Sequence, residues 1–373
     1  MDFEVEFHPV GDASRAGDAI SVRYGFNGSY EVMVIDGGTE DSGAALVTHI
    51  NDFYGPDTAI THMISTHPDS DHASGLREVM RNFHVDNLWV HGLWSHASEM
   101  LPYFEDKRWT VAGLEKQIRD QYPIIQELLA MAAMQGTIVH EPFEGQMIGP
   151  FVVLSPTKWA YQRLVPQFRK TPAPDEQALR REQMWLGERP VPSRAAGLLA
   201  NLVEAARGWA DEHWNIELLR EGAITAAENE TSTVLYANFG SQSVLLTADA
   251  GVNALSWACD CSNRAGIDLT TVSLIQVPHH GSRSNVTPSI LDRLLGAKLP
   301  EGAPIRRHAV VSAPKDDEKH PRKMVINAFT RRGSPVCTTQ GFYYRHHSQT
   351  MPHRGNESPA VPFNFFSRVE DYD

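Results

Sequence analysis

Apolar and polar residues alternate over residues 3–7 (FEVEF), which predicts a half-buried strand. The alternation returns over residues 19–24 (AISVRY), and Asn27-Gly28 then supplies a hairpin turn signal. Residues 31–35 predict a third strand that stops at Asp36-Gly37-Gly38. Residues 48–54 read as the end of a helix, and residues 60–65 as a strand running directly into polar side chains. Over residues 111–134, Leu114, Ile118, Ile125, Leu128, Leu129 and Met134 recur at helical spacing, with Pro123 expected to kink or divide the helix. Short apolar runs at 151–154, 232–238, 243–246, 272–277 and 308–312 predict further strands.

Between about residues 161 and 228 the pattern changes. Pro166, Pro172, Pro174, Pro190 and Pro192 interrupt a charged stretch, followed by an amphipathic helix over roughly 195–214. This reads as an insertion between strands, a lid or partner surface. After Tyr344 the chain turns rich in His, Ser and Pro, which predicts a poorly ordered tail. The expected organisation is one hydrolase-sized domain over 1–348, with the 161–228 insertion inside it and a tail over 349–373. No solenoid or propeller repeat is visible.

Composition narrows the class. Hydrophobic residues at 42% and charged residues at 21% fit a globular chain, and neither value points to disorder. The 46 acidic residues outnumber 33 basic ones, for a net charge of -13, which argues against a general nucleic-acid coat. Arg306-Arg307, Arg322-Lys323 and Arg331-Arg332 still allow a local basic groove beside the plainer reading of solvated surface charge. Cys259, Cys261 and Cys337 make no secretory disulfide framework. The acidic start lacks a signal-peptide pattern, and no run reaches the ~18 apolar residues of a membrane span. A cytoplasmic protein without a membrane partner is the expectation; oligomeric state is not encoded legibly.

The chemistry concentrates in His67-Pro68-Asp69-Ser70-Asp71-His72, just after a predicted strand. Four metal-binding side chains within six residues can turn toward one centre, and imidazole with carboxylate suits Zn²⁺, Mn²⁺ or Fe²⁺. Burying several carboxylates without a cation would cost several kcal/mol each. The plain alternative is an exposed polar loop. Three other apolar runs end similarly, at Ile35-Asp36-Gly37-Gly38, Leu245-Leu246-Thr247-Ala248-Asp249 and Val277-Pro278-His279-His280-Gly281-Ser282. Functional side chains gather at the carboxyl ends of strands in layered α/β folds.

In this order the motifs resemble the metallo-β-lactamase superfamily, and more narrowly the soluble hydrolase domain of the DNA-uptake channel protein ComEC. Further matching pieces are Gly17-Asp18-Ala19-Ile20, the run Glu228 to Leu235 (ENETSTVL), His320-Pro321 and Thr339-Gln340-Gly341. The resemblance spans residues 4 to 344 apart from the insertion. It implies an αββα four-layer sandwich with a mostly helical insertion and a site for two divalent ions, Zn²⁺ or Mn²⁺. Asp69 stands where the wider superfamily has His, as in the ComEC-type branch. No His follows the strand at Leu154-Ser155-Pro156-Thr157, and Asn285 stands where that branch favours Ser.

The resemblance also implies roles. His67 and Asp69 would hold one metal; Asp71, His72 and His279 the other; Asp249 would bridge. Asp36 would support ligands by hydrogen bonding. His280 is ligand or supporting donor, not separable from His279 by sequence. His320 would be a third ligand or proton donor, or else merely cap a helix. Asp71 would orient the nucleophile, and Ser282 or nearby amides would bind a phosphate oxygen. The implied activity is a phosphodiesterase or nuclease using metal-activated hydroxide on nucleic acid or a nucleotide. Hydrolysis of a carboxylic ester, lactone or thioester is the first alternative, and a non-catalytic binding protein on the same fold the second.

Overall fold

The structure, a computed structural model, describes residues 1–11, 16–186, 193–196, 208–355 and 357–372, with the side chains of 183–186 left aside. Strands in chain order are β1 (Asp2–Phe7), β2 (Ala19–Phe26), β3 (Ser29–Gly37), β4 (Ile60–Ile64), β5 (Val85–Trp89), β6 (Ile138–His140), β7 (Met147–Ile148) and β8 (Phe151–Ser155). They continue with β9 (Trp209–Asp211), β10 (Val234–Asn238), β11 (Ser243–Leu246), β12 (Leu274–Gln276), β13 (His308–Val311), β14 (Val336–Thr338), β15 (Tyr344–His347) and β16 (Arg368–Glu370).

Two seven-stranded sheets result, ordered β15-β1-β2-β3-β4-β5-β6 and β14-β13-β12-β11-β10-β8-β7. The first is antiparallel through β3 and parallel from β3 to β6. The second is parallel from β11 to β14. Phe3, Val5, Phe7, Val22, Met33 and Ile35 meet Phe151, Val153, Leu235 and Leu246 between the sheets. A fully buried side chain of this kind contributes about 1.5–3 kcal/mol. Helices cover the outer faces: Glu40–Phe53 and Pro123–Gln135 on the first sheet, Val252–Arg264 and Lys323–Arg331 on the second. The mixed α/β fold is therefore the four-layer sandwich expected.

Local signals explain the element ends. Pro123 divides the predicted helix into Val111–Gln121 and Pro123–Gln135, entering the second at its first turn, where its missing N–H costs nothing. Gly136 closes that helix with φ of 74°. The amphipathic helix expected over 195–214 falls largely outside the described residues, and its described end, Trp209–Asp211, is strand β9 paired with β16.

Two departures share a cause. β1 is buried on both faces, not one, since Glu4 and Glu6 are 0% and 1% exposed. The chain after Tyr344, expected as a loose tail, covers them. β15 pairs with β1, and Arg354 reaches Glu4 Oε1 at 2.9 Å and Glu6 Oε2 at 2.8 Å. Farther on, Glu370 accepts from the Lys323 amide at 3.0 Å, and Phe366 N donates to Asn327 Oδ1 at 2.8 Å. A His-, Ser- and Pro-rich composition hides the few cations that satisfy buried carboxylates.

Candidate metal centre

The carboxyl ends of β3, β4, β11 and β12 meet at one edge of the sandwich, where Thr233 N donates to Thr66 O at 3.1 Å and joins the two sheets. Asp36 ends β3, His67 follows β4, and Asp69 begins the single turn Ser70–Ala73, its carbonyl accepting from His72 N at 3.1 Å. Asp249 follows β11, and His279 and His280 follow β12. The turns are tight: Asp36, Ala248, His279 and His280 have φ of 53°, 44°, 47° and 55°. Such backbone costs of order 1–3 kcal/mol per residue and persists where surrounding packing enforces it.

Asp249 sits at the centre. Its Oδ1 faces His72 Nε2 at 3.4 Å and His280 Nε2 at 3.5 Å; its Oδ2 faces His279 Nε2 at 3.5 Å and His67 Nε2 at 3.8 Å. The other nitrogen of each ring is already engaged. His72 Nδ1 meets Asp36 Oδ2 at 2.9 Å, His280 Nδ1 the Ser312 carbonyl at 3.0 Å, and His279 Nδ1 Asn285 Oδ1 at 2.7 Å. His67 Nδ1 meets Thr66 Oγ1 at 3.0 Å, while Thr66 donates to Asp36 Oδ2 at 2.6 Å. One carboxylate, Asp36, thereby orients two imidazoles.

With Nδ1 so engaged, a neutral ring turns its Nε2 lone pair toward the Asp249 oxygens, and Gly17 N also donates to His280 Nε2 at 3.3 Å. His67 Nε2, His72 Nε2 and Asp249 Oδ1 are buried without a hydrogen-bond partner. Burial pushes the His67 imidazole down, and the His280 imidazole down to about 4, so both favour the neutral form. Burial also opposes a charged His72, but Asp249 and Asp36 outweigh it and push that group well above its ordinary value. One carboxylate does not satisfy four imidazoles by protons alone. A cation between acceptors would, and donors around a tetrahedral site with bonds of ~2.0–2.1 Å lie about 3.4 Å apart. The residues therefore fit a bound divalent metal.

Metal-capable groupings among the described residues are Asp71 with His72 and His280, Asp249 with His279 and His280, Asp36 with His67 and His72, and Asp18 with His72 and Asp249. The side chains divide differently from the expected sets. His280, not His279, lies with His72 and Asp71, while His279 shares the other Asp249 oxygen with His67. Asp69 stands apart, both its oxygens accepting from Arg169 Nη2 at 3.2 and 3.0 Å. His320 approaches the centre from the second sheet, its ring 6.5 Å from that of His279 and its Nδ1 3.1 Å from Asp317 Oδ2. Ser282 is buried in the turn after His280, 2.7 Å from the Ser284 hydroxyl.

Sequence reasoning passed over several participants. Asp18 is 1% exposed, with His72 Nδ1 3.8 Å from its Oδ2, and Gln276 Nε2 donates to the same oxygen at 2.8 Å. Burial, reinforced by Asp249 and Asp36, pushes the Asp18 carboxyl up to about 7, so nearby positive charge would favour its ionisation. The piece Gly17-Asp18-Ala19-Ile20 was visible only as a likeness, with nothing local marking Asp18. Gly17 is required there: a Cβ would lie 1.8 Å from the Asp71 carbonyl oxygen. Asn285 Nδ2 donates to the Asp249 carbonyl at 2.7 Å, binding the two turns together. Arg169, from the inserted segment, also holds Glu228 Oε1 at 3.1 Å and stands half-exposed at the rim.

No helix among the described residues is long and apolar enough to cross a membrane. No curated protein matches the chain significantly. Among solved structures, a CmlA β-hydroxylase variant aligns with 93% of this chain and 54% of its own, at 12% identity and a TM-score of 0.38. A long-form RNase Z from yeast aligns with 100% and 42%, at 11% identity and a TM-score of 0.32. A putative metallo-β-lactamase from Thermotoga maritima aligns with 41% and 66%, at 16% identity and a TM-score of 0.24. The chain spans about half the length of the β-hydroxylase, and likeness at these scores carries no argument about activity. Residues 24–137 match the sequence family described as the metallo-beta-lactamase superfamily. That match covers the segment carrying His67, Asp69, Asp71 and His72, and the four-layer fold is consistent with the same superfamily.

Proposed function

We propose that the chain is a phosphodiesterase in which Asp249 and the histidines around it would hold two divalent cations. The observation carrying this reading is the division of four histidine Nε2 atoms between the two Asp249 oxygens. His72, His280 and Asp71 would hold one cation with Oδ1; His67 and His279 would hold the other with Oδ2. Asp18 adds an oxygen donor beside His72, while Asp69 serves by fixing Arg169. Mixed nitrogen and oxygen donors suit Zn²⁺ or Mn²⁺. When bound, such a pair supplies Lewis acidity, lowering the pKa of water toward ~7 and neutralising phosphoester charge.

The remaining work falls to side chains. Asp71 is more exposed than Asp36 or Asp249; burial raises its carboxyl, but His72, His280 and His67 outweigh that and hold it below its ordinary value. An ionised Asp71 orients an attacking water and accepts its proton. Arg169 binds a non-bridging phosphate oxygen at the rim, and its place on the 161–228 segment favours a lid role for that insertion. Ser282 hydrogen-bonds substrate oxygen, and His320, held by Asp317, returns a proton to the leaving alcohol. The motif order similar to ComEC-type hydrolase domains favours phosphodiesters, nucleic acid or nucleotide, over carboxylic esters.

The test is metal analysis of wild type and Asp249→Ala, with turnover of bis-p-nitrophenyl phosphate under Mn²⁺ and Zn²⁺. The expected result is two metals and turnover in wild type, both lost in a folded Asp249→Ala. Turnover of a thioester or lactone with phosphodiesters untouched would overturn the substrate assignment. Failure of wild type to take up metal would overturn the site.

A further inference from the structure

A second concave site lies at the opposite end of the second sheet from the histidine cluster. It is a cavity of about 720 Å³ at the amino-terminal ends of β12, β13 and β14, closed on one side by β15 and the segment around Pro362. A space of this size holds a drug-sized ligand. Its wall carries Arg306, Arg307, His308, Arg345, His346 and His347, and no Asp or Glu is among the lining residues. For a chain of net charge -13, that concentration of cationic and protonatable groups is a local reversal of sign.

The groups are not equivalent. Arg307 is spent on the fold, its Nη1 donating to the Leu295 carbonyl at 3.0 Å and to Ser334 Oγ at 3.1 Å. Arg345 is neutralised by Glu4, at 2.7 Å through Nε, and by Glu357. Arg306 and His308 are exposed, and Arg306 forms no ion pair among the described residues. Two buried atoms in the lining lack any partner, Gln242 Oε1 and His346 Nε2. A buried acceptor such as Gln242 Oε1 calls for a hydroxyl or amine donor. Ile305, Pro335 and Pro362 supply apolar wall, with Ile305 61% exposed.

Positive groups, unmet hydrogen bonding and apolar wall in one lining match a ligand with three unlike parts. A phosphate would meet Arg306, His308 and His347; a sugar hydroxyl would donate to Gln242; a planar base would lie on Ile305 and the prolines. We infer that this cavity binds a mononucleotide-sized organic phosphate, at a site separate from the histidine cluster. Burial, with His308 and His347 beside it, drives the His346 imidazole down to about 4, and a bound anion reverses that pressure. The inference stands on this cavity alone and does not rest on the metal reading.

The experiment is calorimetric titration of the full chain with adenosine 5′-monophosphate, adenosine and inorganic phosphate separately. Adenosine monophosphate should bind more tightly than either fragment. Arg306→Ala should weaken binding at least about tenfold, since a charge-assisted contact is lost. His308→Gln, at a second exposed position, should weaken it in the same direction. Asp249→Asn should leave it unchanged, which separates this cavity from the metal centre. Absence of binding to wild type, an Arg306→Ala protein that binds normally, or binding abolished by Asp249→Asn would each overturn the inference. Equal affinity for phosphate alone would overturn its nucleotide part.

Discussion

Asp36 Oδ2 lies 2.9 Å from His72 Nδ1 and 2.6 Å from the Thr66 hydroxyl that abuts His67, so one fully buried carboxylate sets the orientation of two imidazoles. Asp36→Asn presents an amide that can donate where the carboxylate only accepts. Its expected effect is a loss of metal affinity of about 10–100-fold with the fold intact, the usual consequence of removing a ligand's supporting carboxylate. Competition against a fluorescent Zn²⁺ chelator measures it. Wild-type affinity would remove Asp36 from this role.

Arg169 spans Asp69 and Glu228 at the rim of the centre. If it grips substrate phosphate, Arg169→Ala raises KM for a phosphodiester about tenfold and lowers kcat less, since the contact exists before the reaction begins. A neutral thioester substrate should be insensitive to the change. An unchanged KM for the anionic substrate would count against the rim assignment.

Glu230 accepts from the amides of Ala254 and Asn253 at 2.7 and 3.3 Å, capping the helix Val252–Arg264. Burial nevertheless pushes its carboxyl from 4.5 up to about 7. The native state thus keeps a proton that the unfolded chain releases, and stability from this group is full below about 4.5 and lost as pH rises through about 7. Glu230→Gln should flatten urea-unfolding stability across that window, by at most about 1.4 kcal/mol per pH unit. An identical slope in the variant would refute the assignment.

Glu6 behaves with opposite sign. Burial opposes its ionisation, but His49 and Arg354 outweigh that and hold its carboxyl well below the ordinary value. Its contribution is present above about 4.5 and is lost as pH falls through the depressed value. Arg354→Met leaves Glu4 and Glu6 buried with less compensation, which costs about 3 kcal/mol when a buried pair is broken. Denaturant melts should show that loss at neutral pH and a smaller one in acid. A neutral variant would mean that the chain after Tyr344 contributes little to holding the sandwich.

Much of the first sheet was legible because its information is local. Alternation over residues 3–7 and 19–24 has the strand period, and Pro123 carries its own reason for dividing a helix. Strands β5 to β7 and β14 to β16 were not read, being short and without strong alternation, and β9 falls where a helix was expected. The crowding of His67, Asp69, Asp71 and His72 was equally local, since a run of potential ligands is visible before anything folds.

What each member faces was a different matter. Asp69 read as a ligand and meets Arg169, a residue distant in the chain; Asp18 was marked only by the likeness of its segment and lies against His72. The sequence by itself determined strands β1 to β4, β8 and β10 to β13, the main helix break and the supply of imidazoles and carboxylates at strand ends. Only tertiary structure decided that Asp249 stands between two histidine pairs, that the His67–His72 segment divides between its two oxygens, and that Arg354 neutralises β1. The physical reason is that periodicity is a property of neighbouring residues, whereas a charge's partner is chosen by which strand ends the sheet pairing brings together.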